Sequence, residues 1–265
     1  MEVTVKGPGE PEIGVVYCTH GNETAGKKAV EKLLEEEPEF QKAVKFVFGN
    51  ERAFEDGERF IDVDLNRSFP GDPESENYEE RLASKLVQEL DGLKNLDLHE
   101  TVSRPVPFAL FANQDTETIE ALQSTGVEKA VEISYTPGCG VNSYGGFEVE
   151  TGPRGTEESV EMAYRVLKNF LVNQGALEGE KDFSQPEIYS VYGEAERPEG
   201  DWQICVENFG KIGQEEKIAV SETGEEIFSR ESFVPVLFSE SYPEIFGFKA
   251  VRLEKVEERI YSRGN

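Results

Sequence analysis

Short apolar runs alternate with amphipathic stretches through the first two thirds of the chain. Ile13 to Cys18 is a continuous apolar run of strand length, and Thr24 to about Glu36 follows with Ala25, Ala29, Val30, Leu33 and Leu34 on one helical face. Thr24 or Asn22 is placed to cap that helix. Ala43–Phe48 is a second strand, and Tyr78 to about Leu90 a second helix with Leu82, Leu86, Val87 and Leu90 as its stripe. Between them, Gly49 to Asn77 is polar and too long for a mere connection. Leu96–His99, Pro107–Phe111, Val127–Ser134 and Phe147–Val149 read as short strands, interleaved with helices at about Glu117–Ser124 and Glu157–Asn173. This alternation predicts an α/β sandwich on a mixed, largely parallel sheet, with ligand sites at the carboxyl ends of strands. His20, His99 and Glu150 all fall at predicted strand ends.

The pattern changes near Asn173. After Gly175 to Glu180 come short strands and turns: Pro186–Glu194, Trp202–Phe209, Glu216–Val220, Glu226–Phe228, Val234–Phe238 and Phe246–Lys255. The expected organisation is a catalytic domain over residues 1–175 and a small β-rich domain over 176–265.

The chain has only two histidines. His20 lies three positions before Glu23, on the turn leaving the first apolar strand, and His99 ends another strand-like run, with Asp97 and Glu100 beside it. Two histidines and one glutamate are the ligand set of a catalytic zinc site that keeps a position open for water. Asp97 and Glu100 are placed to orient the imidazoles from behind. A buried histidine is usually just a hydrogen-bonded core residue; keeping both at strand ends favours a metal.

The stretch Arg59-Phe-Ile-Asp-Val-Asp-Leu-Asn-Arg67 extends the case. Together with Thr19-His20-Gly21-Asn22-Glu23, Asn50-Glu51-Arg52-Ala53, Asp97-Leu98-His99-Glu100-Thr101 and Glu150-Thr151-Gly152-Pro153, it resembles the succinylglutamate desuccinylase/aspartoacylase family, relatives of the zinc carboxypeptidases. The resemblance runs over residues 13–155, and the β-rich remainder is similar to that family's second domain. It implies a carboxypeptidase-like α/β/α fold, one Zn²⁺ per chain, and removal of an acetyl- or succinyl-type group from a small-molecule N-acyl amino acid. By the same resemblance, His20, Glu23 and His99 hold the metal, Glu150 is the general base and then acid, and Arg59 supports the oxyanion. Asn66 and Arg67 anchor the substrate carboxylate, and Tyr242 contacts the substrate. Spacing alone leaves Glu148 and Glu150 interchangeable, since both share one strand face. Asp62 and Asp64 are expected to orient their loop, and Cys18 to pack as a small apolar residue. Two other readings stay open: a zinc carboxypeptidase acting on short peptides, and an inactive zinc-binding relative.

The chain departs from the family where acidic substrates would be recognised. Gly138 to Gly146 contains no basic residue, and Pro243-Glu244-Ile245-Phe246 contains no lysine before Lys249. Arg154 and Arg104 are the substitutes within reach of the motifs. The side-chain pocket is therefore expected to take a neutral or cationic amino acid rather than an acidic one.

Charge sets the remaining limits. With 54 acidic against 27 basic residues the formal charge is −27, which disfavours nucleic acid and anionic membrane as partners. The 17 phenylalanines and 9 tyrosines argue for a packed core despite that charge. Three widely spaced cysteines suit a reducing compartment, and the opening Met1-Glu2-Val3 carries no leader pattern, so a cytoplasmic location is expected; self-association into a homo-oligomer stays open. An excess of this size suits a salt-loaded, halophilic cytoplasm, where screening relieves self-repulsion. The expected outcome is a melting temperature that climbs steeply between dilute buffer and molar KCl; a curve indifferent to salt would reject the idea.

Overall fold

The computed structural model describes residues 1–101, 107–112, 115–134 and 138–253. In chain order these form β1 (Glu2–Lys6), β2 (Ile13–Tyr17), α1 (Ala25–Glu35), β3 (Val44–Phe48), α2 (Glu51–Asp56), α3 (Tyr78–Leu90), β4 (Lys94–Thr101), β5 (Phe108–Phe111), α4 (Thr116–Gln123), β6 (Lys129–Glu132), β7 (Phe147–Pro153) and α5 (Glu157–Asn173). Then follow β8 (Glu187–Glu196), β9 (Trp202–Ile204), β10 (Lys217–Ser221), β11 (Glu226–Phe228), β12 (Val234–Val236) and β13 (Ile245–Leu253).

Ten strands make one mixed sheet in the order β1-β3-β2-β4-β7-β5-β6-β8-β13-β12. β3, β2, β4 and β7 run parallel, as do β5, β6 and β8, while β7 and β5 meet antiparallel. β2 sends the chain to β3 on one side and, later, to β4 on the other. The carboxyl ends of β2 and β4 are thus a topological switch point, where crossover helices leave a crevice open.

Side chains alternate across the sheet, and the two faces differ in kind. Val15, Phe46, Leu96, Leu98, Phe111, Phe147 and Val149 point to the face covered by α1, α4 and α5, where they pack against Leu33, Leu122, Leu167 and Phe170. Each fully buried aromatic there contributes up to about 3 kcal/mol. On the opposite face Val16 and Val47 pack under Leu82, Leu86 and Leu90 of α3. Along β4 and β7 that face carries Asp97, His99, Glu148 and Glu150, in register as Asp97 beside Glu148 and His99 beside Glu150. The chemistry-bearing residues therefore occupy every second place on strands whose other places are core.

Past residue 175 the chain does not leave the sheet. β8 pairs with β6, β13 with β8 and β12 with β13, while β9, β10 and β11 form a separate three-stranded sheet. Trp202, Phe233, Phe238 and Phe246 form the small core of this region. The expected strand over Trp202–Phe209 is shorter: its register with β10 runs over Trp202–Ile204, and turns follow, with Phe209 at a left-handed φ of 65°. β1 and α2 were not anticipated from the pattern: β1 buries neither face, and α2 is six residues long. No helix among the described residues is long and apolar enough to cross a membrane.

Candidate functional site

β2 ends in a sharp turn. Cys18, buried, has a left-handed φ of 55°, and its thiol donates to the Glu23 carbonyl at 3.3 Å. The chain then presents His20 and Glu23 to the crevice before α1 begins. A Cβ on Gly21 would lie 2.2 Å from the Ala53 carbonyl carbon, so only glycine lets this turn rest on α2. α1 receives no side-chain bond from Thr24; Glu100 accepts from Ala25 N at 2.9 Å instead. Glu100 also accepts from Gly155 N at 2.7 Å, so it ties β4 to α1 and β7 rather than orienting an imidazole.

His20, Glu23 and His99 converge with donor atoms within 4.8 Å of one another, all buried. Glu23 Oε1 lies 2.8 Å from His20 Nδ1, and Oε2 lies 3.0 Å from His99 Nδ1. Behind the imidazoles, His20 Nε2 sits 3.1 Å from Asp64 Oδ1, and His99 Nε2 sits 3.1 Å from Asp97 Oδ2 and 3.2 Å from Glu148 Oε2. For His20, the Asp64 carboxylate accepts from Nε2 and turns Nδ1 to the crevice; His99 makes its hydrogen bond through Nδ1 to Glu23 Oε2, and its Nε2, though beside Asp97 and Glu148, makes none. His20 Nδ1 is buried and, although 2.8 Å from Glu23 Oε1, makes no hydrogen bond. Two buried imidazoles facing one carboxylate, with ligand atoms this close and His20 Nδ1 without a hydrogen bond, fit a divalent cation of the zinc type.

Burial alone would push the Glu23 carboxyl up, but the facing His20 and His99 hold it well below the usual carboxylate range. Burial would lower both imidazoles, yet the Glu23 charge raises His20, and Asp97 and Glu148 raise His99 well above its ordinary value. Glu150 goes the other way. Burial, then the Glu23 charge, push its carboxyl up to about 8, and its Oε2 is shielded and has no partner. Glu148, by contrast, accepts from Asn66 Nδ2 at 2.9 Å and lies against His99. The two glutamates that spacing left interchangeable are thus distinguished: Glu148 is committed to bracing and Glu150 is not.

The loop before α3 delivers the cations. Arg59 donates to Glu23 Oε1 at 2.9 Å and to Asp64 Oδ2 at 3.1 Å. Asn66 uses both ends of its amide, donating to Glu148 and accepting from Gly140 N at 2.8 Å. Arg67 donates to its neighbour's carbonyl and lies 3.5 Å from Cys139 Sγ, with its head exposed. The 138–146 loop, where the sequence lacks a basic residue, thus holds Asn66 by its backbone. Tyr242 joins the same cavity, its hydroxyl pushed up to about 12 by burial and then by the Glu150 charge. Arg154 reaches the cavity, Lys249 turns away to Glu231 at 2.7 Å, and Arg104 lies outside the described residues. The cavity holds about 400 Å³ and brings together His20, Glu23, Arg59, Asn66, Arg67, His99, Glu150 and Tyr242.

Sequence reasoning passed over Glu79, which is fully buried in the first turn of α3. Its carboxylate accepts from Ile61 N at 2.6 Å, Asp62 N at 2.9 Å, Val63 N at 3.2 Å and Asn50 Nδ2 at 3.0 Å. Asp62 returns the favour by accepting from Tyr78 N at 2.7 Å. The only signal for it was a glutamate at a helix start, which is ordinary. Glu79→Ala would orphan these buried donors at about 1–3 kcal/mol each, so urea unfolding should register a loss of at least ~3 kcal/mol. A loss below ~1 kcal/mol would show that Glu79 does not hold the loop.

Comparison with known proteins bears on this arrangement. The family model "Succinylglutamate desuccinylase/Aspartoacylase catalytic domain" matches residues 11–144. The chain is 37% identical over 102 residues to a probable aspartoacylase of Prochlorococcus marinus, which covers 34% of each protein. It is 30% identical over 215 residues to an N-alpha-acetyl-L-2,4-diaminobutyric acid deacetylase of Halomonas elongata, covering 71% of this chain and 63% of that one. The chain thus spans about a third of the length of the probable aspartoacylases it matches. In structure it is similar to a succinylglutamate desuccinylase/aspartoacylase from Rhodobacter sphaeroides, with a TM-score of 0.74, 20% identity, and 95% and 87% of the two chains covered. It is also similar to murine aminoacylase 3, with a TM-score of 0.70, 20% identity, and 93% and 97% covered. The fold is the carboxypeptidase-like one these relatives share, and the chain belongs to the succinylglutamate desuccinylase/aspartoacylase family.

Proposed function

We propose that this protein is a zinc-dependent amidohydrolase that removes an acyl group from the amino nitrogen of an N-acyl amino acid. The observation that carries the reading is Glu150: an uncommitted carboxylate beside the His20–Glu23–His99 cluster, in the cavity that also holds two arginines of the 59–67 loop. The names of the relatives support the same class, since they are aspartoacylases, desuccinylases and a deacetylase.

His20, Glu23 and His99 would hold the cation, which when bound would lower the pKa of a water and polarise the amide carbonyl. Glu150 accepts the proton of the attacking water and passes it to the departing amine, a task suited to a carboxyl pushed up to about 8. Arg59, already fixed by Glu23 and Asp64, offers positive charge to the developing oxyanion without having to reorganise. Arg67 takes the substrate carboxylate, with Asn66 setting the loop beneath it. Tyr242 keeps its proton and donates to the substrate. All of this machinery but Tyr242 lies within residues 1–175, and the described strands of the β-rich region close the cavity to a size suited to a small molecule rather than a peptide.

The test combines metal analysis with hydrolysis of N-acetyl and N-succinyl amino acids. About one zinc per chain is expected, with activity lost on chelation and in His99→Ala. Glu150→Gln should keep its zinc and lose about 10²–10⁴-fold in kcat. Full activity in either variant, or zinc retained with no deacylase activity on any member of the panel, would overturn the reading. A second outcome concerns pH. Both imidazoles have raised proton affinity, and protons compete with the cation. Zinc affinity by competition titration should therefore still be climbing with pH above 6.5, where an ordinary histidine is already mostly neutral. A flat profile there would mean the imidazoles are not the ligands.

A further inference from the structure

The sheet face that carries the carboxylates changes character within one strand. On β7 it bears Glu148 and Glu150; their antiparallel neighbours on β5 are Leu110 and Phe108. From there the same side of the sheet is apolar. Leu110, Ile133 after β6 and Val191 on β8 line the cavity, and Val236 at the end of β12, Leu237 just after it and Phe248 on β13 complete the wall.

Leu237 is held where a leucine does not readily go. Its φ is 54°, in the left-handed region that favours glycine. The next residue is clamped in both directions: Phe238 N donates to Asn208 Oδ1 at 2.8 Å, and Asn208 Nδ2 donates to the Phe238 carbonyl at 3.2 Å. Phe238 also stacks on Phe233. The fold thus maintains a strained backbone at the one wall residue between β12 and Tyr242, and strain kept in place beside a cavity points to a role there.

Charge argues in the same direction. Among the described residues, the positive groups on the cavity are Arg59, Arg67 and Arg154. Arg59 is committed to Glu23 and Asp64. Arg154 stands at the β4–β7 end, its backbone bonded to the Thr101 carbonyl at 2.9 Å. Arg67 lies 3.5 Å from Cys139, itself part of the apolar cluster with Leu110 and Ile133. A carboxylate held by Arg67 leaves the substituent on the neighbouring carbon facing that cluster. Of the carboxylates on the cavity that could attract a second amine, Glu23, Asp64, Glu100 and Glu148 are already bonded, and Glu150 is the one assigned above to the attacking water.

We infer that the wall of Leu110, Ile133, Val191, Val236, Leu237 and Phe248 is the subsite for an apolar side chain of the amino acid. The preferred substrates are then N-acyl derivatives of leucine-like residues, not of acidic or diamino ones. This rests on the deacylase reading and narrows it.

The experiment measures kcat/KM of the zinc-loaded protein on N-acetyl-L-leucine, N-acetylglycine, N-acetyl-L-aspartate, N-acetyl-L-2,4-diaminobutyrate and N-hexanoylglycine. In parallel, calorimetry measures binding of the same compounds to Glu150→Gln. The leucine derivative should exceed the glycine one by at least ~10-fold, because a pocket of this kind discriminates by about that factor or more per methylene. Leu237→Gly suits the left-handed backbone, so the fold is retained while the side chain is lost. It should reduce the leucine-to-glycine ratio about tenfold; a purely structural role would shift the melting temperature and leave that ratio alone. An unmoved ratio, or a preference for aspartate, diaminobutyrate or the hexanoyl chain, would overturn the inference. Tight binding of N-acetyl-L-leucine to Glu150→Gln with no hydrolysis of any compound by the unmodified protein would sink the deacylase reading and leave the subsite standing.

Discussion

One buried carboxylate faces two imidazoles and an arginine, and most of the site is arranged around that fact. Glu23 lies within 3.0 Å of His20 Nδ1, His99 Nδ1 and an Arg59 nitrogen, and it is nearly sealed from solvent. A charge in such a place is tolerable only if every neighbour is paired in turn. That requirement runs outward to Asp64 behind His20, to Asp97 and Glu148 behind His99, and to Asn66 beyond Glu148. Burial raises the carboxyls of both Glu148 and Glu150, against the lowered Glu23, but only Glu150 is left out of the pairing. Two residues apart on one strand, two glutamates acquire different characters through their partners alone.

Backbone hydrogen bonds carry the constraint to the scaffold. The loop bearing Arg59, Asp64, Asn66 and Arg67 has little regular structure of its own, and Glu79 supplies the acceptors that a strand or helix would otherwise provide. Glu100 does the same for the start of α1 and for the turn after β7. Both are charges placed where the main chain needs an acceptor, so the rigidity of the site derives from helix starts rather than from the loop.

Much of this was legible beforehand. Strand and helix periods located β2, α1, β3, α3, β4, β7 and α5 because each alternates core and surface at its own spacing. The pairing of His20 with His99 followed from there being two histidines, both at strand ends. Less was visible where the signal is not periodic. β1 buries neither face, so it has no apolar rhythm to detect. The choice between Glu148 and Glu150 depends on cross-strand partners, and the task of Glu100 on the amide groups above it, neither of which is a property of local sequence. Nor could the sequence disclose that β8, β13 and β12 extend the main sheet, since register between distant strands is set by tertiary packing.

That extension divides labour along the chain. Every group in the buried charge network lies between residues 20 and 150, whereas Val191, Val236, Leu237 and Phe248 arrive only with the last strands. The wall meets the cavity through apolar side chains, which cannot hydrogen-bond to the carboxylates and imidazoles. Leu237 and Phe248, its less buried members, are thus the places where this side of the cavity can change shape with least disturbance to the core and to the charge network.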